Sequence, residues 1–219
     1  MKAELFGKPY RTELCSVEIE KATFKVLRIA NLNEVIETRV EKIPWIYEPL
    51  PYWMELWPSA IALASYLWKC VDLRGKRVLE VGCGLGLPGI VAERKGAEVI
   101  MGDCEEEALQ FARVNARLNG CSQISFCQLD WRIVPFKTPF PCIVASDVLY
   151  EVENFQPLLI LLQSLLDRQG QAIIAEPNRS IARKFFEQME ERGLKDSPYT
   201  EHVMIDGQTI EIGIHLIRP

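Results

Sequence analysis

With 219 residues, 48% of them hydrophobic, and a mean hydropathy of +0.02, the chain fits one soluble globular domain with a substantial core. A net charge of −5 and a pI near 5.3 argue against a general grip on nucleic acid, which needs dense Lys and Arg. Seven cysteines, odd in number and without a C-x-x-C pair, together with only two histidines, exclude a disulfide frame and a histidine-based metal cluster. They point to reduced thiols in the cytoplasm.

The start, Met-Lys-Ala-Glu-Leu-Phe-Gly-Lys, is charged and does not read as a signal peptide. The apolar stretch 158–162 is far too short to span a membrane. Apolar and polar residues alternate over 15–19 and 23–29, which predicts a short antiparallel element within an N-terminal extension of 1–45. A Pro- and Trp-rich connector covers 44–58, and helical periodicity runs over 59–70. From Lys76 strand and helix alternate: strand 77–81, helix 87–95, strand 97–102, helix 105–119, strands 123–129 and 141–146, helix 154–168, strand 171–175, helix 180–193. Such alternation predicts an α/β fold, a mostly parallel sheet with helices on both faces. The end, 199–205, then Asp206-Gly207, then 209–217, reads as a hairpin that adds an antiparallel last strand. The whole chain 1–219 is expected to be a single domain with its catalytic core in 54–219. The cations Arg179, Arg183, Lys184, Arg192 and Lys195 interleave with Glu187, Glu190 and Glu191 and read as a solvated helix face.

The most informative segment is Arg77-Val-Leu-Glu80-Val-Gly82-Cys83-Gly84-Leu-Gly86, an apolar strand ending in an acid and then alternate glycines. Asp103 closes the next apolar run. The pattern predicts an adenosine-bearing cofactor at the carboxyl end of a parallel sheet, with Asp103 accepting from a ribose diol. Two registers compete. Gly84-Leu-Gly86-Leu-Pro-Gly89 is a literal G-x-G-x-x-G for a dinucleotide, but Gly82-Cys83 already break the strand before it. An acid at Glu80 would also gain nothing beside a pyrophosphate. In the register Glu80-x-Gly82-x-Gly84-x-Gly86 the segment resembles the first motif of the seven-strand methyltransferases, whose cofactor, S-adenosylmethionine, is cationic and carries no phosphate. Charge favours this second register.

Further candidates lie at successive strand ends. Asp103 alone, with Glu106 three residues on, would also suit a helix N-cap with a capping-box partner; the glycine loop upstream favours the ligand role. Asn115 falls on the apolar face of its helix and is expected to make structural bonds. Asp130 could accept from the adenine amine or be a plain loop acid, and Trp131 offers a flat wall for the ring. Ser146-Asp147-Val148-Leu149-Tyr150 follows the fourth strand of the core, where transfer would occur. Asp147 can hold an attacking amine and take its proton, and Tyr150 can close the site or face a cation; the alternative is a turn and a packing ring. The Asn/Asp-Pro-Pro-aromatic wall expected of base methylation is absent there. Of the connector aromatics, Trp57 suits a lid over the cofactor and Trp53 the core.

Trp57-Pro58, the loop from Glu80 to Gly86, Leu129-Asp130-Trp131, and Asp147 to Tyr150 together resemble the seven-strand protein methyltransferases of the lysine-directed group, methyltransferase family 16, nicotinamide N-methyltransferase-like. The likeness covers about residues 45–180. It implies a Rossmann-like class I fold with S-adenosyl-L-methionine as cofactor. It also implies cofactor contacts at Trp57, Gly82, Cys83, Gly84, Asp103, Trp131 and Ser146, and catalysis at Asp147 and Tyr150. The site list drawn from resemblance and residues together adds Glu80, Gly86 and Asp130. The activity implied is N-methylation of a lysine side chain on a protein by a monomer that uses no metal and binds neither nucleic acid nor membrane. The alternatives are a small-molecule amine as acceptor, or a module that binds the cofactor without catalysis.

Overall fold

The computed structural model describes residues 10–32, 34–35, 52–205 and 207–219. The start of the chain, the connector up to Pro51, and Asp206 of the expected turn lie outside them. An antiparallel hairpin of β1 (Thr12–Ile19) and β2 (Ala22–Ile29) comes first, as the alternation at 15–19 and 23–29 predicts. Helix α1 (Pro58–Cys70) follows, with Pro58 in its first turn, where a missing N–H costs nothing.

Five strands then alternate with helices: β3 (Arg77–Val81), α2 (Leu87–Arg94), β4 (Glu98–Asp103), α3 (Glu106–Leu118), β5 (Ser125–Gln128), β6 (Phe140–Ser146), α4 (Phe155–Leu165) and β7 (Leu166–Glu176). After α5 (Ala182–Glu191), β8 (Lys195–Ile205) and β9 (Gln208–Arg218) form the closing hairpin. The sheet order is β5-β4-β3-β6-β7-β9-β8, and β9 runs antiparallel to both neighbours. The alternation predicts the α/β sheet, and the arrangement is the seven-strand class I one that the family resemblance implies. The order reverses between β4 and β6 around β3, so the crevice for a ligand opens at the carboxyl ends of these strands.

The strands of the sheet centre are apolar on both faces, as buried parallel strands must be. Val78 packs into one core with Leu63, Ile90 and Phe111, under α1, α2 and α3. Its neighbour Leu79 points the other way, into a second core with Leu159, Ile174 and Phe185, under α4 and α5. The N-terminal hairpin is fastened to the outside of the first layer by two buried amides on α3. Asn115 accepts from Leu27 N–H at 2.7 Å and donates to Leu27 and Leu85 carbonyls at 3.2 and 3.0 Å. Asn119 makes the same double contact with Lys25, at 2.9 and 2.7 Å. The structural role expected of Asn115 is the observed one.

Two boundaries differ from the periodicity. Helix α4 ends at Leu165 and β7 begins at once, because Leu166 pairs with Phe140 before a bulge resets the register at Cys142. Helix α5 begins at Ala182, which leaves Arg179 on the loop before it.

Candidate active site

β3 runs into a loop whose three glycines, Gly82, Gly84 and Gly86, have φ of 66°, 50° and 82°. These left-handed values are easy for glycine alone, and they turn the chain from strand to helix α2 within five residues. Over the loop lies an open cavity of about 140 Å³. Beyond β4 its wall is Asp103 and Cys104; beyond β5, Leu129 and Trp131. Beyond β6 it is Ser146, Asp147 and Tyr150, and the far lip is Tyr52 and Trp57.

Asp103 is almost wholly buried and accepts from Gly84 N–H at 2.9 Å and from Glu105 N–H at 3.0 Å. The acid of β4 thus fixes the glycine loop of β3. A carboxylate has about four acceptor positions, so two remain for a diol. Burial raises its pKa, and the two N–H donors oppose that rise. It does not cap α3: the N-cap is Glu105, and no side chain caps the helix.

Trp131 stands against the loop, one ring carbon 3.4 Å from where a Cβ on Gly82 would be. Its indole N–H donates to Asn154 at 3.2 Å, and Asn154 in turn donates to Glu151 at 3.2 Å. At the lip, the ring of Tyr52 sits 4.7 Å from Tyr150 and 6.4 Å from Trp57, whose indole N–H donates to the Tyr52 carbonyl at 2.7 Å. Burial pushes the Tyr150 hydroxyl pKa well up, so it stays a neutral donor. Trp53 is core, buried against Phe111 with centroids 5.4 Å apart, although its backbone also borders the cavity. Cys83 borders the cavity too, as a thiol whose pKa burial raises well above the ordinary value.

Glu80 sits apart from the other candidates. Its carboxyl lies beneath the loop and does not line the cavity, accepting from Gly89 N–H at 3.1 Å. Burial first, and Asp103 to a lesser degree, raise its pKa to about 8. An acid neutral at pH 7 does not offer a cationic ligand the negative charge that the sequence argument gave it. Asp130 is a second correction. It lies outside the lining and is held at the surface by Arg132, whose Nε donates to both carboxylate oxygens at 2.8 and 2.9 Å.

Asp147 has φ 59°, and its N–H donates to the Ala175 carbonyl at 2.9 Å. Its carboxylate pairs with Arg179, which also reaches Glu176 at 3.4 Å. Arg179 therefore leaves the solvated face to which its neighbours belong; Arg183, exposed and paired with Glu187 at 3.3 Å, keeps the expected place. Neither Glu176 nor Arg179 was legible as a site residue, because Glu176 reads as the end of an apolar strand and Arg179 as part of a mixed-charge run. Glu55 was also missed. It borders the cavity and holds Arg28 of the hairpin at 2.9 Å, which ties the N-terminal element to the lip.

A profile of the lysine methyltransferase family matches residues 53–192, which include every lining residue except Tyr52. The histone-arginine methyltransferase METTL23 of Xenopus laevis is 38% identical over 55% of this chain and 55% of its own length. A histidine protein methyltransferase 1 homolog of Dictyostelium discoideum is 33% identical over 65% of this chain and 47% of its own. The chain thus spans about half the length of these curated relatives. Among solved structures, the magnesium protoporphyrin IX methyltransferase of Synechocystis with bound SAM superposes with a TM-score of 0.57 at 19% identity, covering 87% of this chain and 98% of that one. The chain belongs to the lysine methyltransferase family, whose fold is that of the S-adenosylmethionine-dependent enzymes.

Proposed function

We propose that this chain is an S-adenosylmethionine-dependent N-methyltransferase that acts on a basic side chain of a protein, with the lysine ε-amine as acceptor. One observation carries the reading: the glycine loop after β3, the acid after β4 and the acid after β6 converge on one cavity. The residues suit the cofactor. Gly82 and Gly84 bring bare backbone to the cavity, Asp103 keeps acceptor positions for a ribose diol, and Trp131 offers an apolar face to the adenine. When bound, the cofactor supplies the methyl group as an electrophile.

The residues of this chain then act mainly by orientation. Asp147 holds the acceptor nitrogen over the carboxyl end of β6, and the worth of such alignment is several kcal/mol. Tyr52, Tyr150 and Trp57 form an aromatic lip that excludes water and presents ring faces to a cation. A lysine is protonated at pH 7, with an ordinary pKa of about 10.4, so the amine has to lose its proton before transfer. Desolvation under the lip lowers that pKa.

A specific contact favours a second reading, an arginine acceptor. Asp147 and Glu176 already hold one guanidinium, that of Arg179. Paired carboxylates keep an amine charged, whereas a guanidinium is charged before and after transfer and gives up one N–H proton, which a carboxylate can take, as the N–C bond forms. Histone-arginine methyltransferases are among the relatives.

Labelled S-adenosylmethionine, incubated with the chain and a protein lysate, followed by mass spectrometry of the labelled bands, tests both. Methyl-lysine supports the first reading and methyl-arginine the second. Absence of transfer, with cofactor binding intact by calorimetry, would favour a module that binds without catalysis.

A further inference from the structure

We infer that Asp147 and Glu176 form a two-carboxylate seat for the cationic side chain of the acceptor, and that Arg179 is its resident occupant, displaced when an acceptor enters. The inference rests on the methyltransferase reading above and adds Glu176 and Arg179 to the residues that govern the acceptor.

The register of the sheet builds the seat. Ser146 pairs with Ala175 across β6 and β7, so the next residue on each strand, Asp147 and Glu176, lies side by side at the carboxyl edge. Their side chains are 7% and 2% exposed. Two carboxylates so deeply placed and ionised are held by a cation, and removing that cation from a buried pair is strongly destabilising. The cation present comes from the loop between β7 and α5, and its side chain remains 32% exposed. Its backbone N–H is also tied to Glu176, and Asn178 before it has φ 58°. One oxygen of Asp147 accepts from Arg179, and the other has no hydrogen-bond partner among the described residues.

Position decides what the seat is for. Asp147 lines the cofactor cavity, while Glu176 and Arg179 line a second opening, with Arg183, Phe186 and His215. The ion cluster therefore borders both. A cationic side chain that enters by the second opening would compete with Arg179 for the two carboxylates, one of which also lines the cavity.

The probes are N-acetyl-L-arginine amide, N-acetyl-L-lysine amide and the neutral N-acetyl-L-norleucine amide. Each is titrated calorimetrically into the full chain in the presence of S-adenosylhomocysteine. Emptying the seat with Arg179→Ala is expected to tighten arginine amide binding about tenfold, because the probe no longer competes with a resident cation. Norleucine amide should gain nothing, and adding Glu176→Gln should abolish the gain. The melting temperature of Arg179→Ala should fall and be restored by the arginine amide but not by the neutral one. Equal affinity for wild type and Arg179→Ala, or a gain shared by norleucine amide, overturns the seat. Should Arg179→Ala fail to fold, Arg179→Lys retains charge without the planar fork and should show the same order with a smaller gain; equal affinity there overturns it too. Lysine amide gaining as much as arginine amide supports the seat and the lysine reading together. Cofactor binding is measured separately on the wild type, so its loss with amide binding intact rejects the methyltransferase reading and not the seat.

Discussion

Glu80 accepts a hydrogen bond from the backbone N–H of Gly89 at 3.1 Å, joining the end of β3 to the first turn of α2 beneath the glycine loop. A Cβ on Gly89 would stand 2.4 Å from that carboxyl oxygen and 2.5 Å from the terminal carbon of Met101. The third glycine of the apparent G-x-G-x-x-G is thus explained by an acid packed against it. Gly89→Ala should destabilise the fold by on the order of 1–3 kcal/mol through overpacking. Urea unfolding measures this, and a midpoint unchanged from wild type would show that the Glu80 and Met101 side chains yield freely.

The same carboxyl makes a prediction in pH. Its pKa rises from an ordinary 4.5 to about 8 on folding, chiefly through burial. Between those values the native state holds a proton that the unfolded chain has released. Stability from this group is therefore complete below the lower value and falls as pH climbs through the upper one. Glu80→Gln removes the proton exchange, so its stability relative to wild type should improve steadily from pH 5 to pH 8.5. Parallel pH profiles for the two proteins would mean that the Glu80 carboxyl ionises as freely as in the unfolded chain.

Asp103 joins β4 to the loop of β3 by its bond to Gly84, and to the start of α3 by its bond to Glu105. Asp103→Ala leaves two backbone donors without partners and removes the acceptor offered to a ribose. Cofactor affinity should fall by about 1–3 kcal/mol, and the melting temperature should fall with it. Calorimetry on the folded protein separates the two effects. A lowered melting temperature with unchanged affinity for S-adenosylhomocysteine would leave Asp103 a loop anchor alone.

The sheet and most of the cavity wall were legible because they rest on local patterns. Apolar runs gave β3 to β7, alternate glycines gave the turn beneath the cavity, and Asp103, Ser146 and Asp147 stand at strand ends, with Trp131 three residues past one. What was missed depends on side-chain direction and on pairs far apart in the chain. Glu80 points under the loop, away from the cavity, and Asp130 is taken up by Arg132 two residues on. Arg179 meets Asp147 across 32 positions, a contact that no helical or strand period encodes. The bond from Arg28 to Glu55 is hidden for the same reason.

The last prediction concerns Asp147. Its φ of 59° lies in the left-handed region, which asparagine tolerates nearly as well as aspartate, so Asp147→Asn keeps shape and backbone while removing charge. The pairing of Arg179 with Glu176 remains, and the melting temperature should fall only modestly. Cofactor affinity should stay near wild type, because the carboxylate is already taken up by Arg179. Turnover should fall by about 10²–10⁴-fold if the carboxylate orients or deprotonates the acceptor nitrogen. The loss should appear in kcat as well as in kcat/KM, since the contact is strongest when charge develops on the nitrogen. Tyr150→Phe keeps the ring that packs on Tyr52 and should be milder. Near-wild-type kcat in Asp147→Asn, measured on an acceptor identified by mass spectrometry, would reduce Asp147 to a turn residue held by Ala175 and Arg179.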